Sequence, residues 1–172
     1  MIIDINFQTP ELVCDYMVSM IPEYHTTVFE PTPGVGNIVK SLEKKKTFEI
    51  TTAEDFFLFD LDKKFDCIVM NPPFSSKSAY LENAPEGIDL KGMKLGYHIL
   101  QECMKMSDNV IALMPWFTIS DSDVRLRFFK NWGLKSLTAL PRKTFNYARI
   151  QTVVLELEKG YQGETLFKTL NL

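Results

Sequence analysis

Phe65-Asp66-Cys67-Ile68-Val69-Met70-Asn71-Pro72-Pro73-Phe74 is the stretch around which the chain is organised. Four apolar residues in succession after an acid read as a short strand buried on both faces, the pattern of a parallel sheet. Pro72 and Pro73 stop it: neither donates a backbone N–H, and each holds the residue before it extended. Asn71 therefore sits where the chain leaves the sheet, its carboxamide on stiff backbone with an aromatic ring three positions on. Ligands of open parallel sheets bind just beyond the carboxyl ends of strands, where such a carboxamide suits a planar group bearing an NH2. Pro-Pro also ends strands where no ligand is involved. Yet at 8 Asn, 9 Pro and 13 Phe in 172 residues the tetrapeptide is expected about 10⁻³ times per chain, so chance is a poor account of it.

Upstream, Thr27-Val28-Phe29-Glu30 reads as a short strand, followed by Pro31-Thr32-Pro33-Gly34-Val35-Gly36-Asn37 and a helix to about Lys45. Strand, glycine turn and helix make the first unit of a nucleotide-binding α/β fold. The glycines allow close backbone approach, and the helix start offers free N–H donors. Glu30 at the strand end would repel a pyrophosphate but attract an amino group. Before this unit, Asn6-Phe7-Gln8-Thr9-Pro10 precedes a helix with Val13, Met17, Met20 and Ile21 on one face. Thr9 is a good N-cap, Pro10 suits the first helical position, and Glu11 favours the positive helix end.

Asn71-Pro72-Pro73-Phe74 resembles the catalytic tetrapeptide of S-adenosylmethionine-dependent adenine-N6 DNA methyltransferases, and the landmarks from Phe7 to about Leu157 stand in that family's order. The resemblance implies a Rossmann-like class I methyltransferase fold, a mostly parallel α/β sheet with an antiparallel final strand. It implies that the Asn71 oxygen and the Pro72 carbonyl accept hydrogen bonds from the target amine, with Pro73 and Phe74 completing the site and the Phe74 ring on the base. Glu30-Pro31-x-x-Gly34-x-Gly36, with Asn37, is similar to the first cofactor motif, Glu30 taking the methionine amino group. Phe7, Thr9 and Pro10 resemble the N-terminal segment lying against the methionine. Asp55 and Phe56 of Ala53-Glu54-Asp55-Phe56-Phe57 resemble the pair on the cofactor adenine. Between the glycine loop and Ala53 about twenty residues of the usual plan are missing. Either Phe48–Thr51 is a truncated second strand with Glu49 as the ribose acid, or that strand and its helix are deleted; the shortage favours deletion.

After Phe74, Ser75–Gly92 has no clean periodicity, and loops of this length are usually functional or mobile; in the family this region closes over the flipped base. Leu95–Met106 reads as a helix, Asn109–Met114 as a buried strand, the stretch with Val124, Phe128 and Phe129 as a helix, and Leu134–Leu140 as a strand. Pro141–Arg149 is a basic, turn-like link, and Gln151–Glu158 closes the sheet. Trp116 and Phe117 are candidates for a base pocket, although aromatic residues after a strand are more often core. His25 and His98 stand alone.

The length suits one catalytic domain, 1–172, without a separate target-recognition domain, burying about 70% of its unfolded surface. No secretory h-region follows Met1, no apolar run approaches membrane-spanning length, and Cys14, Cys67 and Cys103 read as neither a disulfide framework nor a metal motif. A cytoplasmic protein with no membrane partner is expected. Net charge is −3, but residues 1–74 hold 6 Lys/Arg against 12 Asp/Glu and residues 75–150 hold 11 against 7. Arg125, Arg127, Lys130, Arg142, Lys143 and Arg149 of that second segment are candidate phosphate contacts. The expected partners are S-adenosylmethionine and DNA, with RNA as an alternative acceptor and a specificity partner or second subunit as a further candidate partner. Methylation of a protein glutamine on the same scaffold, or a non-catalytic methyltransferase-like subunit, are the other readings.

Overall fold

The computed structural model describes residues 7–76, 79, 81–145 and 150–171. The apolar run forms β3 (Cys67–Met70), with all four residues buried. Its side chains divide by alternation: Ile68 and Met70 enter one core cluster, Cys67 and Val69 the other. Next to it β4 (Asn109–Pro115) does the same, with Val110, Ala112 and Met114 on one face and Ile111 and Leu113 on the opposite face. Each such aliphatic side chain contributes about 1.5–3 kcal/mol by leaving water, so two-sided burial fixes these strands at the centre.

The other elements in chain order are α1 (Glu11–Ser19), β1 (Thr27–Glu30), α2 (Asn37–Glu43), β2 (Glu49–Thr52), a 3-10 turn (Phe56–Leu58), α3 (Lys94–Met106), α4 (Phe117–Ser120), α5 (Asp123–Trp132), β5 (Leu134–Ala139), β6 (Thr152–Glu158) and β7 (Leu166–Thr169). The described strands form one seven-stranded sheet in the order β2-β1-β3-β4-β6-β5-β7. β2, β1, β3 and β4 run parallel, β6 is antiparallel to β4 and β5, and β7 pairs parallel with β5. This is the Rossmann-like, mostly parallel sheet that was expected. Helices α1 and α2 cover one face, and α3 and Phe129 of α5 pack into the core of the other.

Two expectations need correction. The second strand is not deleted: Glu49–Thr52 pairs in register with Thr27–Glu30 as an edge strand. What is absent is a helix after it, since only the 3-10 turn separates β2 from β3. Thr9 is not a helix cap either; Pro10 holds the cap position of α1 and the Thr9 side chain bonds elsewhere. At the amino ends of the strands, Asp66 Oδ2 accepts from the backbone N–H of Thr26 and Thr27, at 2.8 and 2.9 Å, and from the Thr26 hydroxyl. That staple joins β1 to β3 and aligns their opposite, carboxyl ends. Those backbone donors hold the Asp66 carboxyl down at about 2.

Candidate active site

The carboxyl ends of β1 and β3 lie side by side, and the residues just past them line a hollow of about 290 Å³. Phe7, Thr9, Glu30, Gly34, Asn37 and Asn71 all border it, so the strand tip faces the glycine turn. Gly34 and Gly36 have φ of +55° and +82°, the left-handed region that favours glycine, which lets the loop turn tightly into α2. Pro31 is buried. Gln8 Oε1 accepts from the N–H of Val35 at 3.1 Å, and Asn37 Nδ2 donates to the Thr9 carbonyl at 3.0 Å. The N-terminal segment is thereby tied onto the glycine loop, with Pro10 following at the N-cap of α1.

Glu30 is the least expected group by energy. It is 1% exposed; Oε1 accepts from the Thr32 N–H at 2.9 Å and more loosely from its hydroxyl, and Oε2 has no partner among the described residues. Burial, only partly offset by the Thr32 donors, pushes its carboxyl up to about 8. A buried acid oxygen without a donor, at the rim of a hollow, suits a cationic ligand group.

Thr32 borders both this hollow and a second of about 390 Å³, lined also by Glu54, Asp55, Phe56, Pro73, Leu95 and Ile99. Asp55 and Phe56 thus come to the same crevice as the tetrapeptide. Asp55 Oδ1 accepts from the Phe57 N–H at 2.9 Å, capping the 3-10 turn, and Oδ2 accepts from Asn83 at 2.9 Å. Asn83 and Ala79 belong to the long segment after Phe74, whose ends meet through Ser76 N–H and the Gly92 carbonyl at 3.0 Å. Ala79 and Asn83 thus lie against the crevice. Helix α3 comes close behind the tetrapeptide because Gly96 lacks a side chain; a Cβ there would lie 3.1 Å from the Pro73 carbonyl oxygen.

Asn71 Nδ2 donates to the Phe7 carbonyl at 3.0 Å and to Thr9 Oγ1 at 2.9 Å, and the Thr32 hydroxyl donates to the Asn71 carbonyl at 3.3 Å. Pro72 is buried. Phe74 is 7% exposed, packed edge-on against Phe7, and belongs to the core in this conformation rather than to an open stacking surface.

Several candidates fall elsewhere. Glu49 opens β2 opposite Thr27, at the far end from the crevice, so it cannot reach a ligand at the carboxyl edge. Glu54, two residues past the end of β2, does line the crevice; its position after a strand was the signal. Trp116 packs against Phe167, and neither Trp116 nor Phe117 lines either hollow. Arg125 donates to the carbonyls of Phe117 and Thr118, and Lys130 to the Gly163 carbonyl, so both brace corners of the fold. Arg127, Arg142 and Lys143 are exposed, and Arg149 lies outside the described residues. The thiols of Cys14 and Cys67 are buried and pushed up to about 12, chiefly by burial, which leaves no nucleophile there. Among the described residues there is no metal-binding cluster, and no helix is long and apolar enough to cross a membrane.

No family model matches the sequence. The chain is 21% identical over 198 aligned residues to the type II methyltransferase M.CvrRI of Paramecium bursaria Chlorella virus XZ-6E, covering 95% of this chain and 51% of that one. It superposes on the methyltransferase subunit of a type I restriction-modification system from Streptococcus thermophilus with a TM-score of 0.70, at 15% identity over 95% of this chain and 47% of that subunit. A Listeria monocytogenes protein assigned to the class I S-adenosylmethionine-dependent methyltransferases matches at TM-score 0.69 and 17% identity, over 98% and 67% of the two chains. The chain spans about half the length of the curated relative that it matches. The chain has the fold of the class I S-adenosylmethionine-dependent methyltransferases, and it is similar to a type II methyltransferase and to the methyltransferase subunit of a type I restriction-modification system.

Proposed function

We propose that the protein transfers the methyl group of S-adenosylmethionine to the exocyclic N6 amine of adenine in DNA. The observation that carries this reading is the Asn71 carboxamide at the carboxyl tip of β3. Its NH2 is engaged by Phe7 and Thr9, while no described group donates to its oxygen.

The residues fit the cofactor. Glu30 Oε2, buried and without a donor, matches the ammonium of a methionine moiety. Gly34 and Asn37 border that end of the hollow together with Phe7 and Thr9, while Pro10, Pro31 and Gly36 stand outside its lining. The second hollow offers apolar surface from Phe56, Leu95 and Ile99 and a carboxylate at Asp55, suited to an adenine ring with its amino group. Glu54 stands past β2 where ribose hydroxyls would lie. The bound cofactor would supply an electrophilic methyl on sulfur.

The protein's own work is orientation. Asn71 Oδ1 and the Pro72 carbonyl accept from the two N–H groups of the target amine, which draws its lone pair out of conjugation with the ring. With the cofactor bound, the amine would take the methyl as its bond to sulfur breaks, and the extra proton would pass to water. Positioning of this kind contributes several kcal/mol without a strong base. The target adenine has to leave its stack to reach the site. We assign choice of target sequence to protein beyond this fold, such as a specificity subunit. The test is transfer of labelled methyl groups to unmethylated DNA, RNA and protein pools, after calorimetry has established S-adenosylmethionine binding. Label in DNA supports the proposal; label only in RNA or protein, or no cofactor binding at all, removes it.

A further inference from the structure

Asparagine amides rotate, and the two poles of Asn71 would act oppositely on an incoming amine. An oxygen accepts from it, whereas an NH2 meets it donor to donor. Which pole faces the acceptor is therefore a requirement of the reaction, and the tetrapeptide alone does not set it.

The structure supplies the constraint from outside the tetrapeptide. The Phe7 carbonyl can only accept, so the pole 3.0 Å from it has to be the NH2. Thr9 Oγ1, 2.9 Å from the same nitrogen, takes a second bond from that NH2. Thr9 is 3% exposed and held in turn: its carbonyl accepts from Asn37 Nδ2 at 3.0 Å and from Cys14 Sγ at 3.5 Å. Gln8, between Phe7 and Thr9, is fastened to the glycine loop through the Val35 N–H. The segment that fixes the amide is thus itself anchored on the loop beside Glu30, which gives it a fixed position to hold Asn71 from.

We propose that Thr9 is a positioning residue whose hydroxyl, together with the Phe7 carbonyl, locks the Asn71 carboxamide with its oxygen toward the acceptor amine. The inference rests on the role proposed above for Asn71 and adds a function to Thr9 distinct from contact with the cofactor. Removing the hydroxyl while keeping the side-chain volume leaves one anchor of two, so the amide samples the unproductive orientation.

The experiment compares Thr9→Val, Thr9→Ser, Asn71→Ala and the double variant Thr9→Val/Asn71→Ala. Expected for Thr9→Val is a fall in kcat of about tenfold, the size of one hydrogen bond, with KM for S-adenosylmethionine within about twofold of wild type. Thr9→Ser should recover most of that loss, and Thr9→Val should add nothing in the Asn71→Ala background, because both act through one group. Full kcat in Thr9→Val, or a raised KM with kcat unchanged, overturns the inference and leaves Thr9 as a cofactor contact. Full activity in Asn71→Ala instead overturns the methyl-transfer reading on which it rests. A readout independent of turnover is the side-chain NH2 of Asn71 in the NMR spectrum of the free protein. Two distinct, exchange-protected protons are expected in wild type, with protection of one lost in Thr9→Val, and fast exchange of both in wild type overturns the proposal even if Thr9→Val fails to fold.

Discussion

Glu30 enters the folded protein as a neutral acid, and Glu30→Gln makes that neutrality permanent. Burial raises its carboxyl from 4.5 to about 8, so between those values the folded chain holds a proton that the unfolded chain has released. Stability from this group is fully present below pH 4.5 and is lost as pH rises through 8, at about 1.4 kcal/mol per pH unit. From about pH 5 to about pH 7.5 the loss comes to about 3 kcal/mol, a visible part of the 5–15 kcal/mol that holds a typical domain. The assay is urea unfolding of wild type and Glu30→Gln across this range. The variant should gain on wild type steadily as pH rises and level off above pH 8. Cofactor binding has the opposite sign: an ammonium beside Oε2 favours the carboxylate, so binding at neutral pH should release close to one proton in wild type and none in the variant. Calorimetry in two buffers of different ionisation enthalpy measures that number. A stability difference that stays flat from pH 5 to pH 8 refutes the account of Glu30 as a buried acid awaiting a cation.

Phe74→Ala should destabilise the protein by about 3–5 kcal/mol in urea, because its ring is buried in the core against Phe7, so loss of activity in that variant has to be measured at a concentration of folded protein. Asp66→Ala should cost about 1.5–3 kcal/mol by freeing the N–H groups of Thr26 and Thr27. With its carboxyl held down at about 2, the contribution of Asp66 is present above the ordinary 3.8 and fades as pH falls through 2; acid unfolding should therefore bring wild type and variant together at the low end.

The centre of the sheet was legible in the sequence because β3, β4 and β6 bury both faces, which writes an apolar run into the chain. The two edges were not. β2 and β7 are held by backbone pairing to β1 and β5, their side chains are mostly exposed, and so neither leaves a burial pattern to read. Glu49 sits in a short segment whose sequence suits a ribose acid, but only the strand's register reveals which of its ends faces the crevice. The candidate site residues rest on resemblance rather than periodicity, and the structure brings Phe7, Thr9, Glu30, Gly34, Asn37 and Asn71 to one hollow and Asp55 and Phe56 to the next. The bonds from Asn71 to Phe7 and Thr9 span more than sixty positions of sequence. Contacts of that kind are set by how strands and termini assemble, and a local pattern carries no trace of them.

The most direct test of the central claim is nucleoside mass spectrometry of unmethylated DNA incubated with the protein and S-adenosylmethionine carrying a labelled methyl group. The expected product is labelled N6-methyladenine from wild type and only a small residual rate from Asn71→Ala, with cofactor affinity largely kept because Asn71 acts on the acceptor. Label appearing on cytosine, or on adenine equally well with Asn71→Ala, would contradict a mechanism built on a carboxamide that orients the adenine amine.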